Sequence, residues 1–379
     1  MTQPDAPAAP PSALLRVKLN FDRHERHVTV AFFAGGFVFD ILTVGRIDSW
    51  LTIGQQAAYL ALISFVLLQM FFEQGGQRKP AQDAAQGPRL KRWYYEYRSA
   101  LVHFLLGAQL SLYTIFFFKS SSLLVSFGFL AFLVALLVAN ESRRFKALGL
   151  NVRFALLGLC FLAFAACVVP IFVGSIGTAV FLLSMLVGSL PLALAAWWVG
   201  RGFPDLFAQA RKQILLPLGC VLIGFLGFYL ARLIPPVPLS IPFIGVYHGV
   251  EKSGEDYLLA HERPWWRIWH NGDQDFRAQP GDKVYVFFRV FSPARFADQV
   301  QMRWYWKPEG RGWTLQDTIP IKIVGGREQG FRGYGVKTNY QPGAWKVQVE
   351  TADGREIGRV YFDLETRPPE PRHIFLEAD

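Results

Sequence analysis

The segment ERPWWRIWHNGDQ, Glu262 to Gln274, sets Trp265, Trp266, Trp269 and His270 almost side by side. Indole faces can stack on sugar rings, rest at a lipid surface, or close the end of a hydrophobic core. A ligand-stacking role and a packing role are both open at this stage. His248, His261 and His270, with Glu262 and Asp273, carry metal-capable atoms, but their spacing matches no zinc pattern. The reading is therefore no metal and no cofactor.

A second stretch, IKIVGGREQGFRGYGV from Ile321 to Val336, resembles a phosphate-cradling loop in its glycine content. Such a loop needs a helix start behind its glycines, so that free amides and the helix dipole meet the anion. Here VKTNYQPGAW follows, which is turn and strand, and the Gly-Lys-Ser/Thr ending is missing. The glycines are read as positive-φ positions that bend the chain between strands. Arg327 and Arg332 remain candidates for an external anion, against structural pairing with Glu328 or backbone carbonyls. No Gly-x-Ser-x-Gly nucleophile pattern occurs in this half of the chain, and no catalytic residue is assigned.

The remaining chemistry lies in apolar runs. Asp40 is a carboxylate inside one of them, and an ionisable group at membrane depth is by default a functional candidate. It sits about one helical turn from the end of its run, level with Arg46 and Lys119, so an ion pair with either competes with a proton or ion relay. His103 lies early in another run and reads as a hydrogen-bonded structural histidine or, less simply, a ligand. Cys160, Cys167 and Cys220 all fall in apolar runs and are expected to be small buried hydrophobes, not disulfide partners.

These residues need elements to hold them. The chain has 379 residues, 52% hydrophobic and only 18% charged, where soluble domains carry about 25% charge. Its net charge of +10 is unevenly spread: from Pro235 onward there are 19 Lys+Arg and 19 Asp+Glu, and the first 234 residues hold 20 against 10. A basic excess confined to the apolar half argues for membrane topology and against nucleic acid.

Seven runs are long enough to span about 30 Å of hydrocarbon: 28–45, 52–72, 100–118, 121–139, 154–173, 176–198 and 214–234. The segments flanking them alternate in charge. Seventeen Lys and Arg residues fall on one side, among them Arg16, Arg78, Arg92, Arg143 and Arg211; only Arg46 and Lys119 occupy the opposite short loops. Positive charge stays inside, which puts the N-terminus in the cytoplasm and everything after residue 234 outside. The Pro/Ala-rich start reads as disordered, and the tail 1–27 as cytoplasmic and uncleaved. The stretch WYYEYR, Trp93 to Arg98, reads as an interfacial aromatic anchor.

Ile234 to Pro242, IPPVPLSIP, is expected to be a stiff extended stalk over 235–242. Residues 243–379 show period-two patterning. Val284, Val286, Phe288 and Val290 share one face. So do Val300, Met302, Trp304 and Trp306; Ile319, Ile321 and Ile323; Trp345, Val347 and Val349; and Val360, Phe362 and Leu364. Turn signals such as Asp353-Gly354 separate them. The expected fold class is an α-helical membrane bundle of about seven helices over 28–234, followed by an all-β antiparallel sandwich.

The runs FFRVFSP, VQMRWYWKPEG, IPIKIVGGREQGFRGYGVK and PGAWKVQVETADGREIG together resemble a bacterial C-terminal domain of unknown function. In that family a Trp-rich strand precedes a Gly-Gly-Arg stretch and a Pro-Gly-x-Trp-x-Val hairpin. The segments RHERHVTVAFFAGGFVFDILTVGRID and FFFKSSSLLVSFGFLAFLVALLVANE resemble the membrane region that accompanies it. The resemblance implies a Gram-negative inner-membrane protein and transfers no catalytic residue. The expected role is a multi-pass protein presenting a periplasmic sandwich to an envelope glycan, lipid or protein, as scaffold or sensor. The alternative is a membrane enzyme or transporter using Asp40, Arg46, Lys119 and His103.

Overall fold

The computed structural model describes residues 47–77, 88–264, 266–267, 269–293, 296–324 and 330–379. All belong to one compact unit, Arg46–Asp379. The expected first span, Asp40, Arg46, Trp265 and Arg327 lie outside the described residues.

Five described helices are long and apolar enough to cross a membrane: α1 Trp50–Gln74, α2 Arg89–Lys119, α4 Leu150–Val173, α5 Thr178–Gly202 and α6 Pro204–Leu230. The shorter α3, Leu123–Glu141, is apolar along its length. Six of the seven expected runs are therefore helical, five of them at spanning length. α2 begins about one turn before Trp93, so WYYEYR belongs to the helix itself.

α4 is the central helix and packs against α1, α2, α5 and α6. Its residues Phe154, Leu157, Cys160 and Leu162 are fully enclosed. At Gly188 of α5 an added Cβ would sit 2.9 Å from the Phe161 carbonyl oxygen; the missing side chain lets two backbones approach, as small residues do between helices in lipid. Outward faces carry Phe65, Phe104, Phe127, Leu186, Trp198 and Ile223 in exposed positions. An apolar surface this continuous is stable against hydrocarbon and not against water. Cys160 and Cys167 are buried as expected, whereas Cys220 is exposed on α6.

Among the described residues eleven strands follow: β1 Ser240–Tyr247, β2 Gly249–Ser253, β3 Asp256–His261, β4 Asp275–Ala278, β5 Val284–Phe291, β6 Ala297–Lys307, β7 Thr314–Val324, β8 Phe331–Lys337, β9 Gly343–Thr351, β10 Glu356–Thr366 and β11 Phe375–Ala378. They form sheets ordered β1-β5-β8, β4-β10-β9-β6-β7 and β11-β3-β2. All pairings are antiparallel except β4 with β10.

The period-two faces read from the sequence meet in one core. Val284, Val286, Phe288 and Val290 of β5 pack against Val300, Met302 and Trp304 of β6, Val347 of β9 and Phe362 of β10. β5 is also buried on its other face, where Phe287 meets Tyr247 and Leu259 under the β2-β3 hairpin. The β1-β5-β8 sheet is thus a middle layer, a feature that strand alternation in β5 alone did not announce.

Residues 234–239 are buried and turned, with Val237 N–H donating to the Pro235 carbonyl (2.9 Å) and Leu239 N–H to that of Pro236 (3.0 Å). This corrects the expectation of an extended stalk: the prolines are packed in a junction. There the β9-β10 turn meets the helices. Arg355 donates to the carbonyls of Tyr229 (3.3 Å) and Ile234 (3.5 Å) and lies 3.4 Å over the Tyr229 ring. Tyr229 stacks on Phe181 at 3.7 Å. Ser122 donates to Glu356 (2.5 Å), and Ile176 N–H to Asp298 (3.0 Å). The β region therefore rests on the α2-α3 and α4-α5 connections and on the end of α6.

Candidate functional site

β10 leads away from that junction. Glu356 at its start touches Ser122, and Asp363 and Thr366 near its end pair with Asp275 and Ala278 of β4. At about 3.3 Å per residue, Asp275 stands roughly 20–25 Å from the helices. The tryptophan segment enters β4, so it lies at this distal end.

Its shape follows from two contacts. Gly272 has φ +69°, and an added Cβ would lie 2.0 Å from the Val246 carbonyl oxygen. Only glycine allows the approach that lets Asp273 N–H donate to that oxygen at 2.7 Å. Arg263 then braces the loop from inside, donating to the carbonyls of Arg267 (3.0 Å) and His270. With its backbone held, the loop turns Trp266 and Trp269 outward, 51% and 67% exposed, with ring centroids 6.1 Å apart. Arg267 lies 5.3 Å over the Trp266 ring and pairs with Asp275 at 2.5 Å. His270 contacts Trp269 edge-on at 6.1 Å.

Two polar clefts open beside this loop, of about 240 Å³ and 270 Å³. They share Glu262 and Arg277. Arg263 and Arg267 line the first, Arg367 and Arg372 the second, the latter pair carried by the proline-rich segment before β11. Beneath them lies a buried charge cluster. His248 Nε2 is 3.6 Å from Asp273 and 3.9 Å from Glu262, and its Nδ1 is 3.8 Å from Asp282. Arg372 chelates Asp282 at 2.6 and 2.8 Å. Burial, followed by the Arg372 charge, pushes His248 down to about 4, so it is neutral near pH 7 and these contacts are not ion pairs of a charged imidazole. Burial pushes Asp273 up to about 6 despite the Glu262 N–H it accepts at 2.8 Å. His248 stacks on Phe276 at 4.1 Å and has almost no exposed surface.

The described cleft-lining residues include no serine, threonine or cysteine; His270 and His373 line the clefts, while His248 is sealed beneath them. Among the described residues no group of three His, Cys, Asp or Glu side chains is arranged for a metal ion. The rims offer guanidinium groups beside two outward indoles.

The other expected residues are elsewhere. Arg332, on β8, donates to the Glu255 carbonyl (2.6 Å) and lies 3.3 Å from Asp379, clamping the middle sheet to the β2-β3 hairpin. His103 is buried between α2 and α3, its Nδ1 3.1 Å from Asn140 Oδ1, while Asn140 donates back to the His103 carbonyl at 3.0 Å. Lys119 is exposed at the far end of α2, about 24 Å along the helix from His103. Sequence reading did not single out Asp282, Arg277, Arg367 or Arg372. Arg372 and His248 are 124 positions apart, and no local signal links them.

Residues 297–364, β6 through most of β10, match a family described as "Protein of unknown function (DUF2914)". No curated protein matches the chain. Among solved structures, an immunoglobulin-like protein from Pseudomonas aeruginosa is similar at 12% identity and TM-score 0.22, over 34% of this chain and 98% of its own. A Listeria innocua beta-glucosidase in complex with glucose aligns at 12% identity and TM-score 0.19, over 29% of this chain and 16% of its own. A Pseudomonas fluorescens alkylpurine DNA glycosylase, AlkC, aligns at 10% identity and TM-score 0.22, over 85% and 100%. At these scores the likenesses define neither fold nor function.

Proposed function

We propose that this is a multi-pass bacterial inner-membrane protein that presents a periplasmic β-sandwich, and that the distal end of the sandwich binds an envelope glycan in a scaffold or sensing role. Several observations support the membrane half of the reading. The described basic residues beside the α1-α2, α3-α4 and α5-α6 connections, among them Arg89, Arg98, Arg144, Arg201 and Arg211, lie at the end of the bundle away from the β region, which rests on the other connections. That is the partition expected if the β region is outside. The core shared by two facing sheets supports the sandwich, with β2, β3 and β11 as an added layer.

The binding half rests on one observation: Trp266 and Trp269 are both outward and remote from the helices. A pair serving the membrane surface would lie at the junction, and a pair serving the core would be buried. Exposed indoles beside arginine-rimmed clefts suit sugar rings that carry hydroxyl and acidic groups. The test is co-sedimentation of the full-length protein in nanodiscs with purified peptidoglycan sacculi. Retention is expected for the wild type and a drop of about tenfold for Trp266→Ala/Trp269→Ala, the loss of about 1.4 kcal/mol. Absence of wild-type retention, or equal retention of the variant, refutes the glycan reading.

A further inference from the structure

The outward face of the five-stranded sheet carries a second arrangement, separate from the distal loop. β9 runs between β6 and β10, and its outward side chains are covered by longer neighbours from both. Lys346 is only 8% exposed. Its ammonium lies 4.3 Å from the Tyr305 ring centroid and 5.2 Å from that of Trp313. The nearby carboxylates are engaged elsewhere, Glu350 with Arg303 at 3.2 Å and Glu356 with Arg359. Among the described residues Lys346 forms no ion pair. Burial, then the Arg359 charge, lowers its pKa. An ammonium held chiefly by ring faces, with much of its water removed, gains from any anion that reaches it.

Rings and donors surround that cation. Trp313 and Tyr361 are 38% and 41% exposed, with centroids 5.8 Å apart. Lys307 lies 5.9 Å over Trp313, and Arg359 donates to the Tyr361 hydroxyl at 2.8 Å. Gln348, also buried on this face, donates to Glu356 at 2.8 Å. We propose that this face binds an acidic sugar, its ring against Trp313 and Tyr361 and its carboxylate or phosphate group beside Lys346 and Lys307. The polar floor decides the class of occupant. An apolar protein surface laid here would leave the Lys346 ammonium buried without an anion. A hydroxyl-rich ligand with one negative group supplies that anion while its apolar face meets the rings.

The experiment is calorimetric titration of the full-length protein in nanodiscs with trigalacturonate, with maltotriose as the neutral sugar and inorganic phosphate as the ringless anion. Trigalacturonate is expected to bind saturably, and at least about tenfold more tightly than either control. Trp313→Ala and Lys307→Ala, at exposed positions where folding is preserved, are each expected to weaken it about tenfold with no change in melting temperature. Lys346→Gln is expected to erase the preference for the acidic over the neutral sugar. Four results would overturn the proposal: no saturable binding of trigalacturonate, equal affinity for maltotriose, phosphate binding as tight as the sugar, or undiminished binding by Trp313→Ala. Capture of an envelope protein on this face without acidic-sugar binding would overturn it as well.

Discussion

His248 and Asp273 hold each other in balance. Burial and the neighbouring Arg372 depress His248 to about 4 from 6.5, while burial raises Asp273 to about 6 from 3.8. Between pH 4 and 6 both are neutral when folded, whereas the unfolded chain carries a charged imidazole and an ionised carboxyl through much of that window. For Asp273 the folded chain binds its proton more tightly, so its stabilising contribution is present at low pH and lost as pH rises through about 6. For His248 the folded chain binds its proton less tightly, so its contribution is present above 6.5 and lost as pH falls toward 4. The two slopes oppose in the wild type. His248→Gln should therefore melt at progressively lower temperature as pH rises from 4 to 6, and Asp273→Asn as pH falls from 6.5 to 4. Parallel pH profiles for the two variants would show that the pair does not titrate this way. Glu262, Asp282, Arg372 and His261 also face the imidazole, and all are retained in both variants. The histidine and Asp273 were visible in the sequence as metal-capable atoms. Their partnership was not, because Gly272, Val246 and Arg372 bring it about from distant parts of the chain.

At the scale of elements, alternation was a dependable guide to the β region. Each of the five period-two faces contributes to the common core, because a strand with one buried face must place its apolar residues at every second position. Alternation says less about the opposite face. Lys346, Gln348 and Glu350 alternate with Trp345, Val347 and Val349 as solvent-facing residues would, yet all three are buried. Their strand is central in its sheet, and strand order is invisible to periodicity. The expected stalk failed for a related reason. Proline restricts the backbone but does not say what packs against it, and here Tyr229, Phe181 and Arg355 close over it. Arg355 spans that contact with its guanidinium on a desolvated ring, an interaction worth about 2 kcal/mol. Arg355→Ala is expected to lower the melting temperature and to raise proteolysis between residues 231 and 242. Arg355→Lys should rescue little, because an ammonium cannot stack flat while reaching two carbonyls. Unchanged proteolysis in the alanine variant would mean that Ser122–Glu356 and Ile176–Asp298 hold the junction alone.

For the whole molecule, the charge partition and the contact map point the same way. The described basic residues beside the α1-α2, α3-α4 and α5-α6 connections, such as Arg98, Arg144 and Arg211, stand at one end of the bundle and the β region at the other. In spheroplasts, added protease should digest the region after residue 242 while leaving the helices protected, and the same fragment should resist protease applied to inverted vesicles. The reverse pattern would place the β region in the cytoplasm and remove the periplasmic glycan from consideration.

The amino-acid sequence by itself determined five helices long enough for a bilayer, the alternation of basic-rich and basic-poor connections along the chain, and the inward face of each major strand. These are one-dimensional properties: length, charge per segment and a repeat of two. Tertiary structure alone decided that Trp266 and Trp269 point outward at the far end of β10, that Asp282 and Arg372 enclose His248, and that Lys346 lies buried beside the Tyr305 and Trp313 rings. Each depends on strand order or on chain segments far apart in number, and the free energy of such convergence is carried by contacts that no local pattern encodes.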